Sequence, residues 1–417
     1  MKIQAILRGG AAFNAVFAAL FFASTVCCAE ESSVDTDSEA EIQTYTSGDY
    51  VYSILMRASD ETKKAARIEK YTGNETEITI PSEIDDLDVV SLGDGAFTSI
   101  ANATKFIIPD TVSELGVYTF VGCPNVMEYV VADGNTYFEA KDGVLYADDG
   151  QSLLRYPVGQ KPTDYTIPDD VLRIGHGAFA ECSSLTAVTF HENLESIGKA
   201  AFADCIGLTE IVIPEKLIEI SDFCFNSCTN LKSVTLPTNL QRIGSAAFSA
   251  TSLNAVTLPD TLKEIGEQAF ISTPMKEITI PRSVTTIGYN AVGWDVTREG
   301  QLYSKDDFTV YGYRGSTAQD YTEGFEFENT FKFQALDDDS AIAANNKQNN
   351  SDAENENAEQ GKTSIVKIVG ISVCGAAILG ILAAAAFSGK KKKNESQETG
   401  ESTENTESEE ETTEDET

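Results

Sequence analysis

The sequence predicts an α/β solenoid in which short parallel β-strands alternate with short helical turns. Three observations lead there. Phe179, Phe202, Phe225 and Phe248 stand 23 residues apart, Phe270 follows after 22, and Phe97 and Phe120 repeat the 23-residue interval. Each unit between these rings carries an alternating L-x-x-V-x-I run closed by proline, as at Pro214, Pro237, Pro259 and Pro281. An I-G pair and an A-F pair then recur in phase. A period of this length marks units that bury their apolar faces only by stacking on their neighbours.

Each part of the unit has a physical reason. Alternation places Leu208, Ile211 and Ile213 on one inward face of a strand. Proline ends the strand because it has no N–H for a sheet ladder. The I-G pair turns the chain, and A-A-F-A-D-C suits one helical turn. Phe97, Phe120, Phe179, Phe202, Phe225, Phe248 and Phe270 are expected to form a structural spine away from the strands. Cys123, Cys182, Cys205 and Cys228 each follow a spine phenylalanine by three residues, and Cys224 takes a slot that alanine fills in other copies. These positions read as small buried pockets, where free cysteine behaves as a small hydrophobe, rather than as disulfides. With no C-x-x-C pair and two histidines, neither a metal nor a cofactor is expected.

Taken in order, residues 1–29 read as a secretory signal peptide. Lys2 and Arg8 precede the apolar stretch Ala11 to Val26, and Cys27, Cys28 and Ala29 give small residues at a cleavage site. A retained membrane anchor is the alternative. Residues 30–49 read as a flexible, acidic, polar leader, with folded sequence beginning near Tyr50. The repeat array spans 50–295, interrupted over about 132–163 by a β-hairpin whose turn is Ala147-Asp148-Asp149-Gly150-Gln151. Asp142, Asp148 and Asp149 match no calcium loop and read as turn residues. Residues 296–336 form a closing segment of different composition, with a short helix at Ser316 to Thr322, as an open solenoid end requires.

Residues 337–362 read as a disordered linker. Residues 363–388 contain twenty almost wholly apolar residues, Ile368 to Phe387, enough for a transmembrane helix. Lys390 to Lys393 follow, which places the C-terminus in the cytoplasm. The tail 389–417 continues with eleven acidic residues and no basic one after Lys393.

The spacing LxxVxIPxxLxxIGxxAFxxC resembles the BspA-like leucine-rich repeats, the Treponema pallidum type, over roughly Tyr50 to Leu336. GVLYADDGQSLLRYP and FTVYGYRGSTAQDY also look like the hairpin insertion and closing segment of that family. Ser221 for the turn glycine, Val292 for phenylalanine, and Thr251 and Thr273 for cysteine are departures. The resemblance implies a leucine-rich-repeat solenoid on a bacterial cell surface, used for binding or adhesion. It carries over neither a ligand nor a catalytic residue.

Two columns of strand residues are expected to point outward on a concave face. One holds Glu77, Lys105, Glu128, Asp164, Ala187, Glu210, Ser233, Ala255 and Glu277; the other holds Thr79, Ile107, Val130, Thr166, Thr189, Val212, Thr235, Thr257 and Thr279. Glu210, Ser233, Thr235, Thr257, Glu277 and Thr279 are the candidate ligand face. The competing reading is that β-branched residues merely favour strands and charges keep the surface wet.

A net charge of −36 opposes nucleic-acid binding, which needs a basic footprint. No G-x-S-x-G elbow, phosphate loop or H-E-x-x-H site is present, and His176 and His191 fall in different parts of adjacent coils, so no catalysis is expected. The sequence thus points to a membrane-anchored extracellular protein that binds a protein or glycan. A scaffold within the envelope and a receptor acting through the acidic tail are the alternatives.

Overall fold

The computed structural model describes residues 42–57, 60–297, 300–324 and 331–337. The expected signal peptide, nearly all of the linker, the apolar segment 363–388 and the tail lie outside the described residues. Among the described residues, no helix is long and apolar enough to cross a membrane.

An antiparallel meander opens the fold: Thr44–Ser47, Tyr50–Arg57 and Asp60–Tyr71; the end of the expected flexible leader is thus ordered, because Thr44–Ser47 pairs with Tyr50–Ser53. Its last strand pairs in parallel with Leu87–Leu92, so the meander covers the open end of the first coil. Regular coils follow, most with a three- or four-residue strand such as Glu210–Val212 and, after the turn, a two-residue strand such as Glu219–Ile220. The short strands stack in parallel, Ile220 beside Ile243, Ile265 and Ile287 in successive coils.

The expected helical turns are absent from the array. The phenylalanine segment instead bonds forward to the next coil: Gly177, Phe179 and Glu181 donate to the carbonyls of Lys199, Ala201 and Ala203 at 2.9, 2.7 and 2.8 Å. The residues two before and two after the phenylalanine adopt positive φ, as in Ala200 (+52°) and Asp204 (+56°) around Phe202, and Ala246 (+50°) and Ala250 (+54°) around Phe248. A helix would keep these N–H groups within its own turn. Stacking offers carbonyls on the adjacent coil, and left-handed residues, each costing about 1–2 kcal/mol, aim the backbone at them. The fold is therefore a β-solenoid. Its described helices are one α-helix in the closing segment, Thr317–Glu323, and a 3-10 turn at Val158–Gln160.

The hairpin forms, with Val144–Ala147 antiparallel to Ser152–Arg155, and Asp148 and Asp149 at positive φ in its turn. Its second strand then pairs in parallel with Arg173–Ile174, so the insertion ends as a coil of the stack. This has a consequence for the spine. Tyr156 stacks on Phe179 with ring centroids 5.4 Å apart, and Phe202, Phe225, Phe248 and Phe270 continue at 5.1–5.5 Å, each within 11° of parallel to its predecessor. Tyr71, Phe97 and Phe120 form a separate, less regular column. The apolar core divides into two clusters at the same place. The rings thus make two columns, because the insertion lies between Phe120 and Tyr156.

The five described cysteines are buried and free. Cys123, Cys205 and Cys228 donate S–H to the carbonyls of Phe97, Phe179 and Phe202 in the preceding coil at 3.1–3.2 Å. Thr251 and Thr273 bond instead to the phenylalanine carbonyl of their own coil, at 2.9 Å. Burial pushes the thiols of Cys123 and Cys182 up to about 12, which keeps them protonated and unreactive.

Asp222 ties three coils together. Its carboxylate accepts from Ser245 N–H at 3.0 Å, meets Arg242 at 2.7 Å, and pairs with Lys199 at 3.0 Å. Burial pushes this carboxyl up, but the hydrogen bonds and charges of Arg242 and Lys199 outweigh it and leave the pKa lowered. Asp222→Ala is expected to cost about 1–3 kcal/mol in urea unfolding at pH 7. The deficit should shrink in acid, since a depressed pKa stabilises only above the unfolded value and is lost as pH falls through the folded one. A pH-independent deficit would assign the effect to packing.

Candidate functional site

The outward columns form in the expected register. Glu210 lies beside Ser233 and Val212 beside Thr235. Glu277 lies beside Thr309 and Thr279 beside Tyr311, and the closing segment adds Lys332 and Gln334 to the same two columns. All six candidate ligand-face residues are exposed.

The columns do not rest on one continuous sheet. The strands group as Glu77–Thr79 with Lys105–Ile108 and Glu128–Val131, then Asp164–Thr166 with Ala187–Thr189, then Glu210–Val212 with Ser233–Thr235, and last Glu277–Thr279 with Thr309–Gly312 and Lys332–Ala335. Thr257 falls in a stretch without strand pairing. Pro259 follows Phe248 by 11 residues, as Pro281 follows Phe270, where Pro237 follows Phe225 by 12. The face therefore brings together Glu210, Ser233 and Thr235 on one sheet and Glu277 and Thr279 on another.

The break between Ala187–Thr189 and Glu210–Val212 holds a groove of about 600 Å³ lined by Thr189, Phe190, His191, Glu210, Val212 and Glu215. Phe190 takes the slot that Ile213 fills one coil later, with its ring edge-on to Phe202 at 5.8 Å. Val212 is 64% exposed, an apolar patch between two carboxylates. The sequence missed this groove because Phe190 and His191 look like routine variants of I-P. Their bulk and the lost proline are the only trace among its lining residues.

His191 holds its neighbourhood together. Nδ1 accepts from Asn193 N–H at 3.2 Å, so the neutral ring carries its proton on Nε2, 2.8 Å from the Val171 carbonyl. His176 plays a comparable part, its Nδ1 accepting from Lys199 N–H at 2.9 Å. The face's electrostatics are simple: Glu77, Glu128, Asp164, Glu210 and Glu277 stand against Lys105 and Lys332, and Lys105 is paired with Glu128 at 2.7 Å. Among the described residues, no three His, Cys, Asp or Glu side chains gather as a metal site. In the hairpin, Asp148 accepts from Ser152 at 2.7 Å and pairs with Arg173 at 2.9 Å, which lowers its pKa in that order.

Stacked coils with inward aliphatic residues, outward strand columns and an aromatic spine define a leucine-rich-repeat solenoid, a class that serves as an extended binding scaffold. Residues 67–141 and 160–273 match the BspA type Leucine rich repeat region in 6 copies, and the repeats are of that type. The pneumococcal vaccine antigen PcpA is similar in structure, with 22% identity and a TM-score of 0.46 over 61% of this chain and 61% of the antigen, under two thirds of its length. A leucine-rich repeat protein from Eubacterium ventriosum is 19% identical at a TM-score of 0.41, over 52% of this chain and 76% of that one. The T. pallidum leucine-rich repeat protein is 22% identical at a TM-score of 0.31, over 52% and 89%. No curated protein matches the chain.

Proposed function

We propose that the chain is a protein-binding repeat protein of a bacterial cell surface, acting in adhesion through its strand face. The segment 363–388 would anchor it in the plasma membrane, with the array outside and the tail in the cytoplasm. The observation that carries this reading is the groove beside Val212, where exposed apolar surface lies between Glu210 and Glu215 on a face with few cations. Apolar surface rimmed by one sign of charge favours a partner with a basic patch around an aliphatic or aromatic anchor. A protein meets that description better than a glycan does.

The purified chain is to be screened against extracellular-matrix proteins and glycan arrays, and the best hit titrated against Glu210→Arg/Glu277→Arg. Capture of a basic protein, weakened at least tenfold by the double variant and by raised salt, is expected. Unchanged capture would place binding elsewhere, and a glycan hit alone would replace the protein partner. Protease shaving of intact cells checks the location: release of the array supports surface display, and protection until the wall is digested supports a scaffold within the envelope.

A further inference from the structure

Between the coil of Phe202 and the coil of Phe225, regular hydrogen bonding survives on one side only. Ala200, Phe202 and Asp204 N–H donate to the carbonyls of Asp222, Cys224 and Asn226 at 2.9 Å each. The strands Ala187–Thr189 and Glu210–Val212 do not pair, and neither do Ser196–Ile197 and Glu219–Ile220. The bonds from Ile167 N–H to Thr189 and from Ile213 N–H to Thr235, 3.0 Å each, have no counterpart from Phe190 to Val212. Those from Glu195 N–H to Leu172 and from Gln241 N–H to Ile218, at 2.8 and 2.7 Å, have none from Ile218 to Glu195. Among the described coils after the insertion, this interface alone lacks both ladders. The break at Thr257 keeps Ile243 beside Ile265.

Ser221 stands at this interface in the slot that Gly198, Gly244, Gly266 and Gly288 fill in other coils. Each of those glycines donates its N–H to an isoleucine carbonyl of the preceding coil at 2.7–2.8 Å. A Cβ on any of them would lie 2.3–2.7 Å from the backbone of that coil. Non-bonded heavy atoms pack at about 3.5–4.0 Å, so only glycine permits the approach. Ser221 carries a Cβ, and its N–H makes no such bond. Its hydroxyl donates to the Ile197 carbonyl instead, at 2.6 Å. A hydroxyl on Cβ reaches further than a backbone N–H, so that carbonyl is satisfied with the two coils held apart.

Little else closes the gap. Thr209 N–H reaches the Thr186 carbonyl at 3.4 Å, and Lys216 bridges to Glu195 at 2.9 Å as an exposed ion pair, which contributes little in water. Phe190 lies on the strand side, with its ring turned to Phe202, and does not reach the two-residue strands. We propose that Ser221 sets the opening of the groove beside Val212. Its Cβ wedges the two coils apart, and the break runs from the serine back through the turn at Pro214 and Glu215, which line the groove, to the strands. The role rests on the reading of that groove as the protein-binding site, for which Ser221 is a positioning residue that touches no partner.

Residue-level hydrogen exchange in the full chain tests the wedge without any partner. The amides of Phe190 and Ile218 should be protected at least tenfold less than those of Ile213 and Gln241, their counterparts one coil on. Ser221→Gly restores the residue of the other coils and should raise protection at Phe190 and Ile218 at least tenfold. Ser221→Ala keeps the Cβ without the hydroxyl and should leave both amides open. Phe190→Ile should leave Ile218 open. Unchanged protection in Ser221→Gly, an equal gain in Ser221→Ala, or a gain at Ile218 in Phe190→Ile would each overturn the proposal. The basic protein selected in the matrix screen is then titrated, and Ser221→Gly should weaken its capture at least tenfold. Raised protection with unchanged capture would support the wedge and overturn the groove as the binding site.

Discussion

Phe225→Ala is expected to cost about 3–5 kcal/mol of folding stability, read as a fall in the urea midpoint. The ring is fully buried and lies between Phe202 and Phe248, 5.5 Å from each and within 9° of parallel. Removing it leaves a ring-sized void that two neighbouring coils line, and their backbones are held by cross-coil hydrogen bonds that resist collapse: Phe225 N–H donates to Ala247 at 2.8 Å and Phe202 N–H to Cys224 at 2.9 Å. Nearest-neighbour coupling makes the middle of the column the worst place for such a gap, because both interfaces of one coil weaken together. Val212→Ala, at an exposed position, serves as the control and should shift the midpoint by under about 0.5 kcal/mol. An unchanged midpoint for Phe225→Ala would show that the aromatic column does not hold the coils.

Asp204→Asn is expected to stabilise the protein at pH 8. The carboxyl of Asp204 is pushed up to about 7, by burial first and by the like charge of Glu181 in the slot one coil earlier. The folded value lies above the unfolded one near 3.8, so the folded state holds an extra proton between them. Stability contributed by this group therefore increases as pH falls from about 7 towards 4, and the ionised carboxylate is a cost above that window. Asparagine keeps the shape and tolerates the positive φ of this position. A gain of about 1–3 kcal/mol at pH 8, shrinking at pH 5, is expected from thermal melts at the two values. A loss of stability at pH 8 would mean that the charge is matched by a partner.

The two variants probe different levels of legibility. Phe225 announced its role through spacing, since a ring at a fixed interval has one explanation in a stack. Asp204 did not, because its slot holds Ser99, Gly122, Glu181, Ser227, Ala250 and Ser272 in other coils. What those residues share is a left-handed backbone, and a side chain type carries little record of that unless it is glycine. The helical turn expected at A-A-F-A-D-C failed for this reason: alanine favours a helix locally, and the neighbouring coil's carbonyls override the preference. Tyr156 and Tyr71 were missed as spine residues, although Tyr156 stands one period before Phe179, because neither carries the A-F pair.

The candidate face divides in the same way. Period two in each strand set which residues point outward, and the register of Glu210 with Ser233 and of Glu277 with Thr309 follows from it. Whether those strands join was settled between coils and not within them, with the bulk of Phe190 at one of the breaks.

Sequence alone determined the stacking: the interval between rings, the inward aliphatic residues and the prolines are local, repeated signals that admit one architecture. Only the tertiary structure decided where the stack breaks, which divided the aromatic column in two and put the groove beside Val212. Breaks depend on how one coil meets the next, and that meeting is a contact between residues distant in the chain, on which no single unit carries information.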